Sequence, residues 1–273
     1  MRRRKVRRVK NTVRPGVVDG LRLVDDFLGS LGIGEPEPYP VFRERLLEEH
    51  PEKAVKFLSL LGARAEAAEE GMESVYAVKN SDLDFSLSVA SQFTGSQHRA
   101  YLRWFVQIAR KPPTTIVDVG CDNGVLTCFY ALLFPESIVV GVDLHAEAVK
   151  CGTKLARMLK LVNVQFEQAS IGEFVGTHNR GFADLVTLTA IGEELEPDDA
   201  TLPDAIDRLL SGEKGRLVCF EVGTEEKFSV WLDQFCAAGL VSESEPSALE
   251  FEHGSEGPAP AIGCVMKRAL LGV

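Results

Sequence analysis

From Asp118 to Gly124 the chain reads Asp-Val-Gly-Cys-Asp-Asn-Gly, two carboxylates and two glycines in one short stretch. Glycine lets a backbone approach a ligand closely, and the N-terminus of a following helix points unpaired N–H groups at it. A third acid, Asp143, comes 25 residues after Asp118, close to where an acid bonds ribose hydroxyls in nucleotide-binding sheets. The dinucleotide fingerprint G-x-G-x-x-G, counted from Gly120, needs glycine at 122 and 125, where Asp122 and Val125 stand. A carboxylate where pyrophosphate must approach is electrostatically wrong. Asp118 and Asp122 are expected to converge on a glycine-lined crevice that suits a cationic end, with Asp143 on the ribose side. Ribose and a charged amine together describe S-adenosylmethionine.

These residues need a sheet to position them. Apolar strand patterns at 114–119, 138–142, 162–167, 184–189 and 216–221 alternate with helical patterns at 123–134, 146–160, 170–175, 202–210 and 225–238. That alternation predicts an α/β fold with a parallel sheet covered by helices on both faces. Residues 248–252 and 261–267 read as a closing hairpin, so the expectation is a doubly wound, mostly parallel seven-stranded sheet with a C-terminal antiparallel hairpin. In such a sheet ligands bind outside the carboxyl ends of the strands.

Upstream, 17–31, 41–49 and 51–61 carry helical spacing, with Pro51 at a first turn and Gly62 beyond an end. Residues 64–70 read as an exposed helical piece, and 74–87 as a weak strand or loop. A further helix at 97–110 stops before Pro112-Pro113. The expected organisation is a basic tail over 1–14, a mainly helical N-terminal lid or extension over 15–95, and a Rossmann-like domain over 96–273.

Asp118-Val119-Gly120-Cys121-Asp122-Asn123-Gly124 resembles motif I, (D/E)-x-G-x-G-x-G, of the class I Rossmann-like S-adenosylmethionine-dependent methyltransferases, and Val140-Gly141-Val142-Asp143-Leu144 resembles their following acidic motif. The resemblance covers about residues 96–268. It implies that Gly120 and Gly124 line the methionine moiety, with Cys121, Asp122 and Asn123 in the same turn. Asp118 would hold the amine region through the turn or water, and Asp143 would take both ribose hydroxyls. Leu144 and His145 would flank the adenine. After the third strand Gln168, Ala169 and Ser170 replace the family's adenine-binding acid and can offer an amide, backbone groups and a hydroxyl. Asp122 departs from the motif's middle glycine.

Methyl transfer from a sulfonium is an in-line displacement helped by alignment and exclusion of water, so a strong base is optional. The fourth-strand loop reads Thr189-Ala190-Ile191-Gly192 in place of the (D/N)-P-P-(Y/F) of methyltransferases acting on exocyclic amines. Glu193, Glu194 and His253 are the candidate general bases. Adjacent acids in a loop are common, and no metal site is expected.

The net charge of −10 conceals an asymmetry: residues 1–14 hold eight Arg or Lys and no acid, so the other 259 residues carry 22 bases against 40 acids. So acidic a surface repels nucleic acid away from that head. The six cysteines form no CxxC pair, which with the absence of a long apolar run suggests a reduced, cytoplasmic protein without a membrane span. The expected function is methyl transfer to a small-molecule acceptor. The alternatives are an RNA or protein methyltransferase tethered by residues 2–14, and a non-catalytic S-adenosylmethionine-binding protein.

Overall fold

The structure, a computed structural model, describes residues 17–66, 73–109, 111–191, 201–252 and 257–269. The central sheet begins with β1 (Thr115–Val119), β2 (Ile138–Asp143) and β3 (Val164–Gln168), then β4 (Leu185–Thr189) and β5 (Arg216–Val222). These five pair in parallel in the order β3-β2-β1-β4-β5. Their near-continuous Val, Ile and Leu content matches strands covered on both faces. Consecutive residues of β1 serve opposite sides: Ile116 joins a core with helices before and between the strands, and Val117 joins the core on the other face.

The sheet closes with three antiparallel strands, β6 (Leu240–Ser242), β7 (Ser247–Glu252) and β8 (Pro258–Arg268). β8 lies beside β5, while β6 pairs with its residues 266–268 and β7 with its residues 258–263. Among the described residues eight strands are therefore present where seven were expected. β6 and β7 share one edge of β8, so the sheet is seven positions wide. Three residues opening a strand after Gly239 are too short a pattern to read from sequence.

The interstrand helices are α7 (Val125–Leu133), α8 (Ala146–Leu159), α9 (Ile171–Thr177), α10 (Thr201–Leu209) and α11 (Glu225–Ala237). Among the described residues six helices precede the sheet: α1 (Val17–Ser30), α2 (Tyr39–Glu49), α3 (Pro51–Glu66), α4 (Glu73–Lys79), α5 (Leu83–Phe93) and α6 (Gly95–Ile108). Phe27 of α1, Tyr101 and Phe105 of α6 and Tyr130 of α7 share the core on one face of the sheet. Phe42, Phe57, Val75 and Phe85 give α2–α5 a smaller core of their own.

The stretch 74–87, expected as strand or loop, is two helices. Asp82 sets the boundary, because its carboxylate accepts Asp84 N at 3.0 Å and Phe85 N at 3.4 Å as the N-cap of α5. In α4 the buried residues are Val75, Val78 and Lys79, a spacing of three and four. The alternation of Tyr76 with Val78 is too short to tell a strand from that helical face.

Candidate cofactor site

The strand order reverses at β1, with β2 and β4 as its two parallel neighbours, and a cavity of about 300 Å³ opens at the carboxyl ends of these strands. Asp118 stands beside Gly141 on β2 and Thr187 on β4. It is 2% exposed, and its two oxygens accept Thr127 Oγ1 at 2.5 Å and Thr187 Oγ1 at 2.7 Å. Burial disfavours its charge and pushes its pKa up to about 6 against those hydrogen bonds.

Beyond β1 the chain turns through Gly120 at φ +70°. A Cβ there would meet Ile191 Cγ2 at 2.8 Å, and both residues line the cavity. Gly124, at φ +79°, has a different reason to lack a side chain. It is the N-cap of α7, and a Cβ would meet Gly152 Cα at 2.6 Å and the Phe166 ring at 2.8 Å. Gly124 thus serves the close packing of α7 on α8 and does not line the cavity, in contrast to the role expected for it.

Asp122 takes the place of the motif's middle glycine in a left-handed conformation, φ 47°, which for a non-glycine residue costs about 1–2 kcal/mol. Its carboxylate is not the bare charge that the sequence suggested. Lys79 Nζ donates to Oδ2 at 2.5 Å and Asn80 Nδ2 to Oδ1 at 2.7 Å. Burial opposes its ionisation, but the Lys79 charge and these bonds hold its pKa below the usual carboxylate value. Asn80 Oδ1 accepts Ser86 Oγ at 2.8 Å, and Asn123 Nδ2 donates to Ser86 Oγ at 3.0 Å. Asn123 Oδ1 in turn accepts Val125 N at 3.3 Å at the start of α7. The turn is therefore bonded to α4 and α5.

Asp143 ends β2, 8% exposed. Its Oδ2 accepts Asp122 N at 2.8 Å and its Oδ1 accepts His145 N at 2.9 Å. Burial outweighs these bonds and raises its pKa. Each oxygen keeps a lone pair for another donor. Leu144, 64% exposed, and His145 lie at the mouth, where the His145 ring stacks on Tyr76 of α4 with centroids 5.9 Å apart.

Of the residues singled out in the sequence, Asp118, Gly120, Cys121, Asp122, Asn123, Asp143, Leu144, His145 and Ala169 come together around the cavity. Gln168 instead donates to Leu144 O at 3.2 Å from an exposed position. Ser170 is the N-cap of α9, in a capping box with Glu173; neither Gln168 nor Ser170 lines the cavity. Glu193, Glu194, His253 and the basic tail lie outside the described residues; among the described residues there is no metal-ligating cluster.

Sequence reasoning missed the opposite wall, made by Tyr76, Lys79, Thr94, Gln97 and His98. His98 of α6 is 9% exposed, and its Nδ1 has no hydrogen-bond partner among the described residues. Burial pushes its pKa down to about 4, so its imidazole is neutral at neutral pH. Thr189 Oγ1 at the end of β4 lies near the Tyr101 phenol but outside hydrogen-bond geometry, and is likewise unpartnered. The available signal was two polar residues, Gln97 and His98, one turn before Tyr101 and Leu102 on an otherwise apolar helix face.

Residues 110–239 match a family model described as a methyltransferase domain. That match spans 130 of the 273 residues and is what this chain is similar to. It is 30% identical over 126 residues to ribosomal RNA large subunit methyltransferase G of Magnetococcus marinus, covering 45% of this chain and 34% of that protein. It is 31% identical over 102 residues to ribosomal RNA small subunit methyltransferase G of Levilactobacillus brevis, covering 37% of this chain and 42% of that one. The chain thus spans well under half the length of either curated relative. The YcgJ protein of Bacillus subtilis superposes with a TM-score of 0.50 at 14% identity, over 60% of this chain and 96% of that one, a likeness of fold. The donor set fits S-adenosylmethionine: a turn without a Cβ at Gly120, lone pairs on Asp143 and an exposed apolar Leu144 at the mouth.

Proposed function

We propose that this protein transfers a methyl group from S-adenosylmethionine to a neutral small-molecule acceptor held between the end of β4 and the start of α6. Asp143 would hold the ribose hydroxyls, Leu144 and Ile191 the adenine, and the Gly120 turn the methionine portion. When bound, the cofactor supplies an electrophilic methyl on a sulfonium. The protein's part is to orient the acceptor's nucleophile, enclose it and exclude water, which can supply much of the rate. Helices α4 and α6 form the enclosing wall, so the N-terminal extension is part of the site.

The observation that carries the reading is a pair of unfilled hydrogen-bonding atoms in residues lining the cavity, His98 Nδ1 on α6 and Thr189 Oγ1 at the end of β4. A buried polar atom without a partner is uncommon and costs about 1–3 kcal/mol. A hydroxyl of the acceptor, donating to His98 Nδ1 and accepting from Thr189 Oγ1, would fill both, and a ring N–H would fill the first. Among the described residues Lys79 is the one lysine or arginine lining the cavity, and the Asp122 carboxylate beside it offsets its charge, so the wall carries no net positive charge to attract a polyanion.

A second reading, methyl transfer to RNA, is favoured by the names of the two curated relatives and by the eight Arg or Lys of residues 1–14. Labelled S-adenosylmethionine tested against phenols, alcohols, heteroaromatic amines and total RNA separates the two. The small-acceptor reading expects label in a small molecule, unchanged on deleting residues 2–14. Label in RNA that is lost on that deletion and on raising salt would replace it.

A further inference from the structure

The wall facing the Gly120 turn holds an ion pair, buried at its lysine and half-buried at its aspartate, that the methyltransferase match does not account for. Lys79 is 6% exposed, sits at the end of α4 and lines the cavity together with Asp122. An ammonium carries three donors, and among the described residues its hydrogen-bond acceptor is Asp122 Oδ2 at 2.5 Å, with the Tyr76 ring face 5.2 Å away. Removing a lysine charge from water is costly, and a buried pair is weak evidence of stabilisation by itself. Here the partner is a residue held in a left-handed conformation inside the cofactor turn. The pair leaves donor capacity on Lys79 and a second lone pair on each Asp122 oxygen, all beside the cavity.

We infer that Lys79 and Asp122 together form the subsite for the α-amino-acid end of the ligand, Lys79 binding its carboxylate and Asp122 its ammonium. A zwitterion and an ion pair can align head to tail, so each charge gains an opposite neighbour and no net charge is buried. This accounts for Asp122 at a glycine position: the middle of the turn carries a ligand-binding carboxylate, and α4 supplies the cation that keeps that carboxylate ionised. It also makes the N-terminal extension a part of the cofactor site. The inference rests on the proposal that the cavity holds S-adenosylmethionine, and it assigns residues to one end of that ligand.

The test compares two probes, S-adenosylhomocysteine and methylthioadenosine, which share adenosine and a thioether but differ in the amino-acid end. Calorimetry on the full chain should show the parent preferring S-adenosylhomocysteine. Lys79→Met should weaken S-adenosylhomocysteine roughly 10- to 100-fold, the range for losing one hydrogen bond to a charged group, and leave methylthioadenosine within about twofold. Lys79→Gln, which can still hydrogen-bond Asp122, should behave as Lys79→Met does and serves if the methionine variant does not fold; Lys79→Arg should retain the preference. Equal losses for both probes, or no loss for either, would overturn the subsite. So would a parent that binds the two probes equally. A parent that binds neither would overturn the cofactor reading beneath it, and the subsite with it.

Discussion

Alanine at Gly120 and alanine at Gly124 should fail in different ways. Both glycines have positive φ, +70° and +79°, so each substitution carries a left-handed strain of about 1–2 kcal/mol. At Gly120 the new Cβ would meet the end of one side chain, Ile191 Cγ2, at 2.8 Å, and a rotamer change can relieve that contact. At Gly124 it would meet the backbone of Gly152 at 2.6 Å and a ring wedged between strand and helix. No side-chain rotation relieves the first of these, and overpacking of that kind adds about 1–3 kcal/mol. Gly124→Ala should therefore lose about 2–5 kcal/mol and Gly120→Ala about 1–2. For a chain of this size 1 kcal/mol moves Tm by about 2–4 °C. Binding should reverse the order. Gly120→Ala puts a methyl on the cavity wall and should weaken S-adenosylhomocysteine roughly tenfold or more, whereas folded Gly124→Ala should bind within about threefold of the parent. Thermal unfolding and calorimetry on the two variants decide it. Equal Tm losses, or parental affinity in Gly120→Ala, would refute the division of labour between the two glycines.

Asp143→Asn leaves one oxygen to receive two backbone N–H groups and any ribose hydroxyl, so S-adenosylhomocysteine affinity should fall by about 1–3 kcal/mol; parental affinity in calorimetry would remove Asp143 from the site. His98→Leu deletes the unpartnered Nδ1, so Tm should hold or rise while turnover on the acceptor falls, and a loss of several degrees would show that the imidazole is structural. Asp118 titrates higher in the folded chain, about 6, than the 3.8 of an ordinary aspartate, so its protonated form is the favoured folded one. Its contribution to stability is full below pH 4 and is lost as pH rises through 6. Asp118→Asn should accordingly gain on the parent by up to about 3 kcal/mol between pH 4 and 7, read by urea unfolding at each pH; a constant difference would contradict it.

The sheet was legible because buried parallel strands announce themselves as short apolar runs, and β1, β2 and β4 each end close to where the pattern predicted. The turn was legible for the same reason, since two glycines and three acids stand at fixed distances from those strand ends. The other wall was not. Lys79 meets Asp122 across 43 residues of sequence, and no local pattern reports a pairing made by tertiary packing. Helix α4 is seven residues long, too short for its periodicity to stand out. Gly124 was misjudged because motif spacing cannot say which side of a turn a missing Cβ faces; Phe166 and Gly152, which it packs against, come from later elements.

The central claim is that the cavity at the ends of β1, β2 and β4, closed by α4 and α6, holds S-adenosylmethionine. A crystal structure of the full chain with S-adenosylhomocysteine tests it most directly. The account predicts the ribose hydroxyls on Asp143, the amino-acid end on Lys79 and Asp122, and the sulfur facing His98 and Thr189. Ligand density elsewhere, or a ligand in this cavity with its ribose away from Asp143, would contradict it.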